Sequence, residues 1–186
     1  SAAWAADEVY KRQLYDVVIT EIGAEVNCTD RQEVKQAGAE EKANVIRALE
    51  PERLAYAAKV VTDYRDGKLD ADIKATESGL KYVIHEEGNG PQAEAGQGVI
   101  VQYIGQLAAD GSVFDQSFGR GEGIPFQLGT GRVIRGWDEG IALLKEGAKA
   151  TFFIPSELGY GADGTPDGSI PADAELVFYV ELEKVQ

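Results

Sequence analysis

The sequence predicts an α+β fold: an antiparallel sheet wrapped around one short helix, preceded by an all-α extension of about three helices. Two patterns along the chain support it. Over residues 5–67, apolar side chains recur every three to four positions, which is the period of one helix face. After residue 78 the period becomes two, as in strands with one buried face, and Trp137–Glu146 is the one helical stretch there. We therefore expect a helical extension with a connector over 1–78 and a second domain over 79–186.

The N-terminal part contains three predicted helices. The first carries a clear apolar stripe, formed by Tyr10, Leu14, Val17, Val18 and Ile22. Asn27–Asp30 interrupts this stripe, and Asp30 is placed to cap a second helix whose own stripe is weaker. Pro51 suits the first turn of a third helix, because a backbone N–H at that position would have no helical partner. Gly67 can end this helix in a left-handed conformation, and the polar stretch Lys68–Ser78 is interpreted as a connector.

The second part contains strands joined by turns. Three strands are defined by alternating apolar residues: Leu80, Tyr82 and Ile84, then Val99, Val101 and Tyr103, and later Leu176, Phe178, Val180 and Leu182. Asp110-Gly111 indicates a hairpin after the second of these strands. Gly147 would close the short helix, and Gly159–Asp173 is a long loop rich in glycine, proline and aspartate. Loops of that length usually either carry function or are disordered.

Composition excludes several classes of partner. The chain has 186 residues and a net charge of −14, so nucleic acid and anionic membrane surfaces are not expected partners. Cys28 is the only cysteine, which excludes an intramolecular disulfide and a cysteine-based zinc site. No apolar run approaches the roughly 20 residues that span a bilayer, so membrane insertion is not expected. The small residues around Trp4 are compatible with a processed start, and an extracytoplasmic compartment, periplasm or plastid lumen, is favoured over the cytoplasm.

Residues typical of proton-transfer or metal chemistry are scarce. The only histidine, His85, lies beside two glutamates in a strand pattern and is interpreted as a surface residue. Asp163 and Asp167 fit only part of a calcium-binding loop, so a turn is the better interpretation. Asp138 and Glu139 could form an acid pair, but acidic residues are also favoured at the start of a helix. We therefore expect neither a metal nor a cofactor.

Aromatic residues beside glycine and proline are the most distinctive feature of the second part. The segment Val133–Ile141, VIRGWDEGI, places Trp137 at the mouth of the short helix. A curled sheet over that helix would bring several rings into one apolar pocket. Such a pocket has no strong acid, base or metal, so it suits a binding module or a reaction without proton transfer. The aromatic residues concerned are Tyr103, Phe114, Phe126, Trp137, Tyr160 and Phe178.

Four motifs in this part occur in an order that resembles a known family. They are FDQSFGRGEGIPFQLG (114–129), VIRGWDEGI (133–141), LGYG (158–161) and IPADAELVFYVEL (170–182). Over about residues 79–186, the chain resembles the FKBP-type peptidyl-prolyl cis–trans isomerases, the macrolide-binding immunophilins. The resemblance implies a half-barrel sheet wrapped around a short helix, and an enzyme, a rotamase, that assists protein folding.

The resemblance also implies a proline pocket with Trp137 as its floor. It assigns catalytic roles to Tyr103, Phe114, Asp115, Ile134, Trp137, Tyr160 and Phe178, and substrate contacts to Arg120, Ile124, Phe126, Val133 and Ile170. The backbone N–H of Ile134 and the hydroxyl of Tyr160 would donate hydrogen bonds to a bound carbonyl, and one face of the indole would stay bare for a proline ring.

Three positions depart from the pattern of the family. Ile124 occupies a wall position that is aromatic in some members, and Arg132 stands where some have an acid. Thr165 lies near a position where a histidine is common. These changes leave the pocket floor intact, but they would alter the residue preferred before proline and the affinity for macrolides.

The implied activity is rotation about X–Pro peptide bonds without proton transfer. Its expected partners are proline-containing polypeptides and macrolide inhibitors. The alternative is a non-catalytic binding module or complex subunit that keeps the pocket and acts through its N-terminal helices. For residues 1–78, dimerisation, docking onto a larger complex and client binding all stay open at this point.

Overall fold

The structure, a computed structural model, describes residues 28–69 and 72–186, and it has the predicted α+β architecture. The chain divides into two units after Glu41, and the helix–sheet contacts described below lie within residues 42–186. Short 3₁₀ turns occur at Phe118–Arg120 and Ser156–Leu158. The helices and strands, in chain order, are α1 (Cys28–Arg65), β1 (Lys74–Ala75), β2 (Lys81–Glu86), β3 (Gly98–Leu107), β4 (Val113–Gln116), β5 (Ile124–Gln127), α2 (Arg135–Ile141), β6 (Lys149–Ile154) and β7 (Leu176–Val185).

The strands of the described residues form one antiparallel sheet in the order β1-β2-β6-β7-β3-β4. The first half of β3 also pairs with β5, so β4 and β5 lie along the same edge of that strand. The hairpin predicted at Asp110-Gly111 is confirmed. Gly111 has a φ of +77°, and its N–H donates to the Leu107 carbonyl at 2.8 Å. Within this sheet β3 pairs with β7 along its whole length.

One face of the sheet is covered by α2, which packs unusually close to β6. An ideal Cβ on Gly136 would lie 2.6 Å from Ile154 Cγ2, and one on Gly140 would lie 2.8 Å from the Phe152 ring. Both distances are too short for a real side chain, so only glycine permits this approach. Trp137 follows the first of these glycines, and its position in the core therefore depends on how close α2 lies to the sheet.

The short helix is displaced from its predicted bounds. It begins at Arg135, two residues earlier than predicted, and ends at Ile141 rather than at residue 146. The side-chain amide of Gln92 donates to the carbonyl oxygens of Ala142 and Leu144, at 2.7 Å and 2.9 Å. The Gln92 amide thus satisfies carbonyl oxygens that have no helical partner beyond the end of the helix.

The opposite face of the sheet is covered by α1. Its buried residues Ile46, Ala57, Val60 and Val61 pack into two apolar clusters with side chains of that face. Within the same contact, Arg53 pairs with Glu181 at 2.6 Å. The sheet is therefore enclosed by a helix on each side. Neither helix in the described ranges is long and apolar enough to cross a membrane.

The prediction of separate second and third helices is wrong, because α1 runs without interruption through Pro51. A proline inside a helix costs about 3 kcal/mol, since it removes one hydrogen bond and crowds the preceding turn. Ile46 before the proline and Ala57 after it are both buried in one cluster, and this packing holds the helix together across Pro51. The first predicted helix, with its stripe from Tyr10 to Ile22, lies outside the described residues.

The end of α1 is as predicted. Gly67 has a φ of +69°, its N–H donates to the Tyr64 carbonyl, and the N–H of Lys68 donates to the Asp63 carbonyl. This pair of hydrogen bonds is the Schellman arrangement that ends many helices. The predicted connector after it also contains the two-residue strand β1, which pairs with β2.

His85 is half-buried beneath α1, and its interpretation as a surface residue is wrong. Its Nε2 shares a hydrogen bond of 2.8 Å with the Thr151 hydroxyl, and its ring meets Tyr56 edge-on at 5.2 Å. Burial lowers the pKa of the imidazole. The alternating pattern of β2 could not show that a helix covers its outer face.

We predict that Gly140→Ala destabilises the fold by about 1–3 kcal/mol, because its methyl group would collide with the Phe152 ring. Gly38→Ala is the matched control, since Gly38 lies within α1 with nothing near its Cβ position. That change should stabilise by up to about 1 kcal/mol. Urea unfolding of both variants measures the difference. Equal midpoints for Gly140→Ala and the wild type would disprove the close approach of α2 to β6.

Candidate active site

Five aromatic rings meet where β3, β5 and β7 face α2. The Trp137 ring lies 5.1 Å from Tyr103, 5.3 Å from Phe178 and 5.8 Å from Phe126, measured between ring centroids. Phe114 extends the group through Phe178, at 5.5 Å. Most of these pairs meet edge to face, the arrangement that aromatic quadrupoles favour. The indole is therefore at the centre of an aromatic wall.

Trp137 is held by packing rather than by hydrogen bonding. Only 4% of its surface is exposed, and its buried Nε1 has no hydrogen-bond partner among the described residues. An unpaired buried donor costs about 1–3 kcal/mol, so the surrounding rings must compensate for it. The expectation that one face of the indole stays bare for a proline ring stays a prediction.

A polar cluster lies at the rim of the aromatic wall. The Tyr103 hydroxyl donates to Asp115 Oδ2, and Arg120 donates from Nη1 to Asp115 Oδ1 at 2.8 Å. The second guanidinium nitrogen of Arg120 donates to the Tyr103 hydroxyl oxygen at 2.8 Å. The guanidinium also lies over the Tyr103 ring, 5.6 Å from its centroid. The three side chains therefore fix one another.

These contacts set the ionisation of the rim. Burial and the hydrogen bond to Asp115 raise the pKa of Tyr103 to about 12, although Arg120 opposes the shift. Burial disfavours the Asp115 carboxylate, but the hydrogen bonds from Tyr103 and Arg120 outweigh it and hold its pKa below the ordinary value. The bond to Asp115 raises the pKa of Arg120. At neutral pH the rim therefore holds one anion, one cation and one neutral phenol.

Two hydrogen-bond donors near the wall have no partner among the described residues. The first is the backbone N–H of Ile134, which directly precedes α2 and whose carbonyl accepts from the Trp137 N–H at 2.9 Å. The second is the hydroxyl of Tyr160, which is 41% exposed. Burial and the charge of Asp115 raise the pKa of Tyr160, so its proton stays in place at neutral pH. Both donors are free to bind a carbonyl oxygen.

The loop before β7 is fixed by Thr165. Its N–H donates to the Ile170 carbonyl at 2.9 Å, and its hydroxyl accepts from the Ile170 N–H at 2.9 Å. Ile170 itself is buried in the same core cluster as Trp137. Thr165, which departs from the family pattern, therefore anchors a predicted wall residue. Ile124, Val133 and Ile134 are partly buried against that same cluster.

Asp138 and Asp167, considered above for catalysis and calcium binding, instead hold loops together. Asp138 accepts from the N–H groups of Gly129 and Gly131, at 2.8 Å and 3.0 Å. Asp167 accepts from the N–H and the hydroxyl of Ser169, as the turn interpretation predicted. Among the described residues, no group of three or more metal-binding side chains lies close enough together to hold a metal ion.

One residue that shapes the wall is missing from the sequence prediction. An ideal Cβ on Gly105 would lie 2.7 Å from both the Phe114 and Phe178 rings. A glycine inside a strand often marks such a close approach, and that signal was available in the sequence. Gly105 is therefore part of the wall although it contributes no side chain.

Comparison with known proteins fits this geometry. A profile of the FKBP-type peptidyl-prolyl cis–trans isomerases matches residues 90–183. FK506-binding protein 1B of Neurospora crassa is 45% identical over 114 residues, covering 58% of this chain and 99% of that protein. The chain belongs to the FKBP-type peptidyl-prolyl cis–trans isomerases. Its fold and its activity as an isomerase, both expected from the resemblance, are thereby confirmed.

Two other proteins show how far the similarity reaches. The FKBP-type isomerase FkpA of Aeromonas hydrophila is 47% identical over 114 residues, which are 61% of this chain but only 41% of that protein. The crystal structure of a peptidyl-prolyl isomerase from Pseudomonas syringae superposes with a TM-score of 0.57 at 33% identity. That superposition covers 71% of this isomerase and 95% of the Pseudomonas chain.

We predict that Gly105→Ala lowers kcat/KM of this isomerase by about tenfold or more, because the added methyl group must displace both rings of the wall. Gly98→Ala on the same strand is the matched control, since its Cβ would meet nothing closer than 3.8 Å. The rate of cis-to-trans conversion of a short X-Pro-Phe peptide measures the effect. If both variants keep full activity, the phenylalanine pair is not a wall of the site.

We also predict that kcat/KM is constant between about pH 6 and about pH 9. Asp115 stays ionised there because its pKa is lowered, while Tyr103, Tyr160 and Arg120 stay protonated because theirs are raised. The control is His85→Gln, which removes the one histidine from the other face of the sheet and should leave the profile flat. A titrating step in the wild-type profile within this range would contradict the assignment.

Proposed function

We propose that the aromatic wall around Trp137 is the place where this chain rotates X–Pro peptide bonds. The proposal is supported by a single observation: an apolar cluster of rings with two unpaired hydrogen-bond donors beside it, Ile134 N–H and the Tyr160 hydroxyl. The rings would take the proline side chain, and the donors would take the carbonyl oxygen of a bound peptide. Nothing in the comparisons favours the alternative of a non-catalytic binding module.

The chemistry needs no acid or base. An X–Pro bond favours trans by only about 0.5–1 kcal/mol, yet it rotates over tens to hundreds of seconds because its partial double-bond character must be lost. In the twisted transition state, the nitrogen lone pair no longer conjugates with the carbonyl, so the amide is less dipolar. An apolar site therefore disfavours the planar amide more than the twisted one, which lowers the barrier.

In the proposed mechanism Trp137 acts through shape and apolarity and does not react. Its contacts with the Tyr103 and Phe178 rings form an apolar surface against which a proline ring would pack. Ile134 N–H and the Tyr160 hydroxyl would hold the carbonyl while the chain beyond the proline turns. Asp115 and Arg120 would keep Tyr103 in its place on the wall and contact the chain that flanks the proline.

The proposed role of Tyr160 predicts that Tyr160→Phe weakens activity without abolishing it. Loss of one orienting hydrogen bond should lower kcat/KM about three- to tenfold. Stability should not change, because the hydroxyl makes no hydrogen bond to the described residues. Tyr56→Phe is the matched control, since Tyr56 is 39% exposed but lies on the opposite face of the sheet. Equal rates for the two variants would remove Tyr160 from the mechanism.

The proposed function is tested with the full chain. The cis-to-trans rate of an X-Pro-Phe peptide should rise in proportion to the protein concentration, and a macrolide such as FK506 should suppress it by competing for the wall. A folded protein that gives only the uncatalysed rate would overturn the proposal. Competition also tests macrolide binding, which we propose on the basis of the pocket and family membership.

For the N-terminal part we propose a role in contacts with other chains: dimerisation, docking or client binding through residues 1–78. Sedimentation of the full chain decides first whether it is a dimer. We also propose an extracytoplasmic compartment, periplasm or plastid lumen, which an acidic chain with a helical extension would suit. Fractionation of the source cells, probed with an antibody against the chain, tests that assignment.

A further inference from the structure

The 3₁₀ turn Phe118–Arg120 connects the rim of the wall to helix α1. On one side of the turn, the Arg120 side chain reaches Asp115 and Tyr103. On the other side, Phe118 is 1% exposed and lies in the cluster that contains Ile46 of α1. A displacement of this turn would therefore move the Arg120 guanidinium relative to the wall.

A polar bridge links the turn to α1. The side-chain amide of Gln116 donates from Nε2 to Glu50 Oε1 at 2.8 Å, and its Oε1 accepts from the Gly119 N–H at 2.8 Å. Gln116 thus joins a carboxylate of the helix to the backbone of the turn. Arg47 adds a longer contact, from Nη1 to the Arg120 carbonyl at 3.5 Å.

The turn also lies against the helix as closely as its atoms allow. An ideal Cβ on Gly119 would lie 2.6 Å from Gln116 Nε2 and 3.1 Å from Glu50 Oε1. One on Gly121 would lie 2.8 Å from the Ala43 carbonyl oxygen, and this glycine has a φ of +78°. The glycines at 119 and 121 in the FGRGEG sequence therefore fit a turn that rests on α1.

We propose that Glu50 is a positioning residue for the isomerase site: through Gln116, it holds the 3₁₀ turn in register and thereby places Arg120 at the rim. This inference rests on the proposed function of the aromatic wall. It gives α1 a part in the activity, although α1 covers the face of the sheet opposite α2 and Trp137. Glu50 does not touch the wall, so we assign its effect to Arg120, which the turn carries.

The expected effect is on substrate affinity. Without the Glu50 carboxylate, the Gln116 amide loses its acceptor and the turn is less constrained. Arg120 would then leave its position over Tyr103 for part of the time, while the floor formed by Trp137 is unchanged. Glu50→Ala should therefore raise KM about three- to tenfold and leave kcat close to the wild-type value, the pattern of a lost binding contact.

The test uses the full chain and five variants. Glu50→Ala should lower kcat/KM, whereas Glu50→Gln, which keeps the acceptor oxygen, should stay within about twofold of the wild type. Glu52→Ala is the matched control, because Glu52 lies on the same helix and bonds only to Arg53 among the described residues. Arg120→Ala and the double variant with Glu50→Ala complete a double-mutant cycle.

The cycle separates positioning from general destabilisation. If Glu50 acts through Arg120, the double variant should be no less active than Arg120→Ala alone. Full activity of Glu50→Ala, or an equal loss in the Arg120→Ala background, would overturn the proposal. The NMR resonance of the Arg120 Nε–H provides a readout independent of catalysis, and it should shift in Glu50→Ala but not in Glu52→Ala. If the wild type does not accelerate the reaction, the proposed function fails, whereas an unshifted resonance refutes the positioning role itself.

Discussion

The close contact between α2 and β6 is the constraint on which the rest of the structure depends. Gly136 and Gly140 let the helix lie where any side chain at those positions would collide with Ile154 or Phe152. This contact carries Trp137 to within about a ring's width of the aromatic side chains of β3 and β7. A helix held farther from the sheet would leave a gap beneath the indole, and gaps in a core cost both stability and definition.

Strands could be predicted from the sequence where apolar residues recur at every second position. Alternation identified β2, β3 and β7, and Gly111 marked the hairpin between β3 and β4. It did not identify β6, because the short sequence KATFFI ends in three consecutive apolar residues and shows no sustained alternation. In the structure α2 packs on one face of the sheet at this strand and α1 on the other. The prediction of a helix start at Pro51 failed because it rested on local preference alone. Packing of residues on both sides of the proline keeps α1 continuous.

The same distinction applies to the site. The aromatic side chains were found because large rings next to glycines are conspicuous in the sequence, and the structure brings five of the six together around Trp137. Tyr160 is the exception, since it makes no ring contact with the described residues and is 41% exposed. Hydrogen bonds between segments that are far apart in the chain, or within an irregular loop, could not be predicted from the sequence. Neither the bond of Thr165 to Ile170 nor the bridge from Glu50 to Gln116 leaves a periodic signal. Sequence patterns thus indicated which residues form the wall, but not which residues hold the wall in place.

His85 has a consequence for the protein as a whole. It is the only side chain whose ordinary pKa lies near neutrality, and burial beneath α1 lowers that pKa in the folded state. The unfolded chain therefore takes up a proton more readily than the folded one. The neutral imidazole makes its full contribution to the free energy of unfolding above about pH 6.5, the ordinary pKa of histidine. That contribution is lost as the pH falls toward the lower pKa of His85 in the folded state. Mild acid thus weakens the contact between α1 and the sheet, where the imidazole packs against Tyr56 and Tyr179. It leaves the charges at the aromatic rim unchanged.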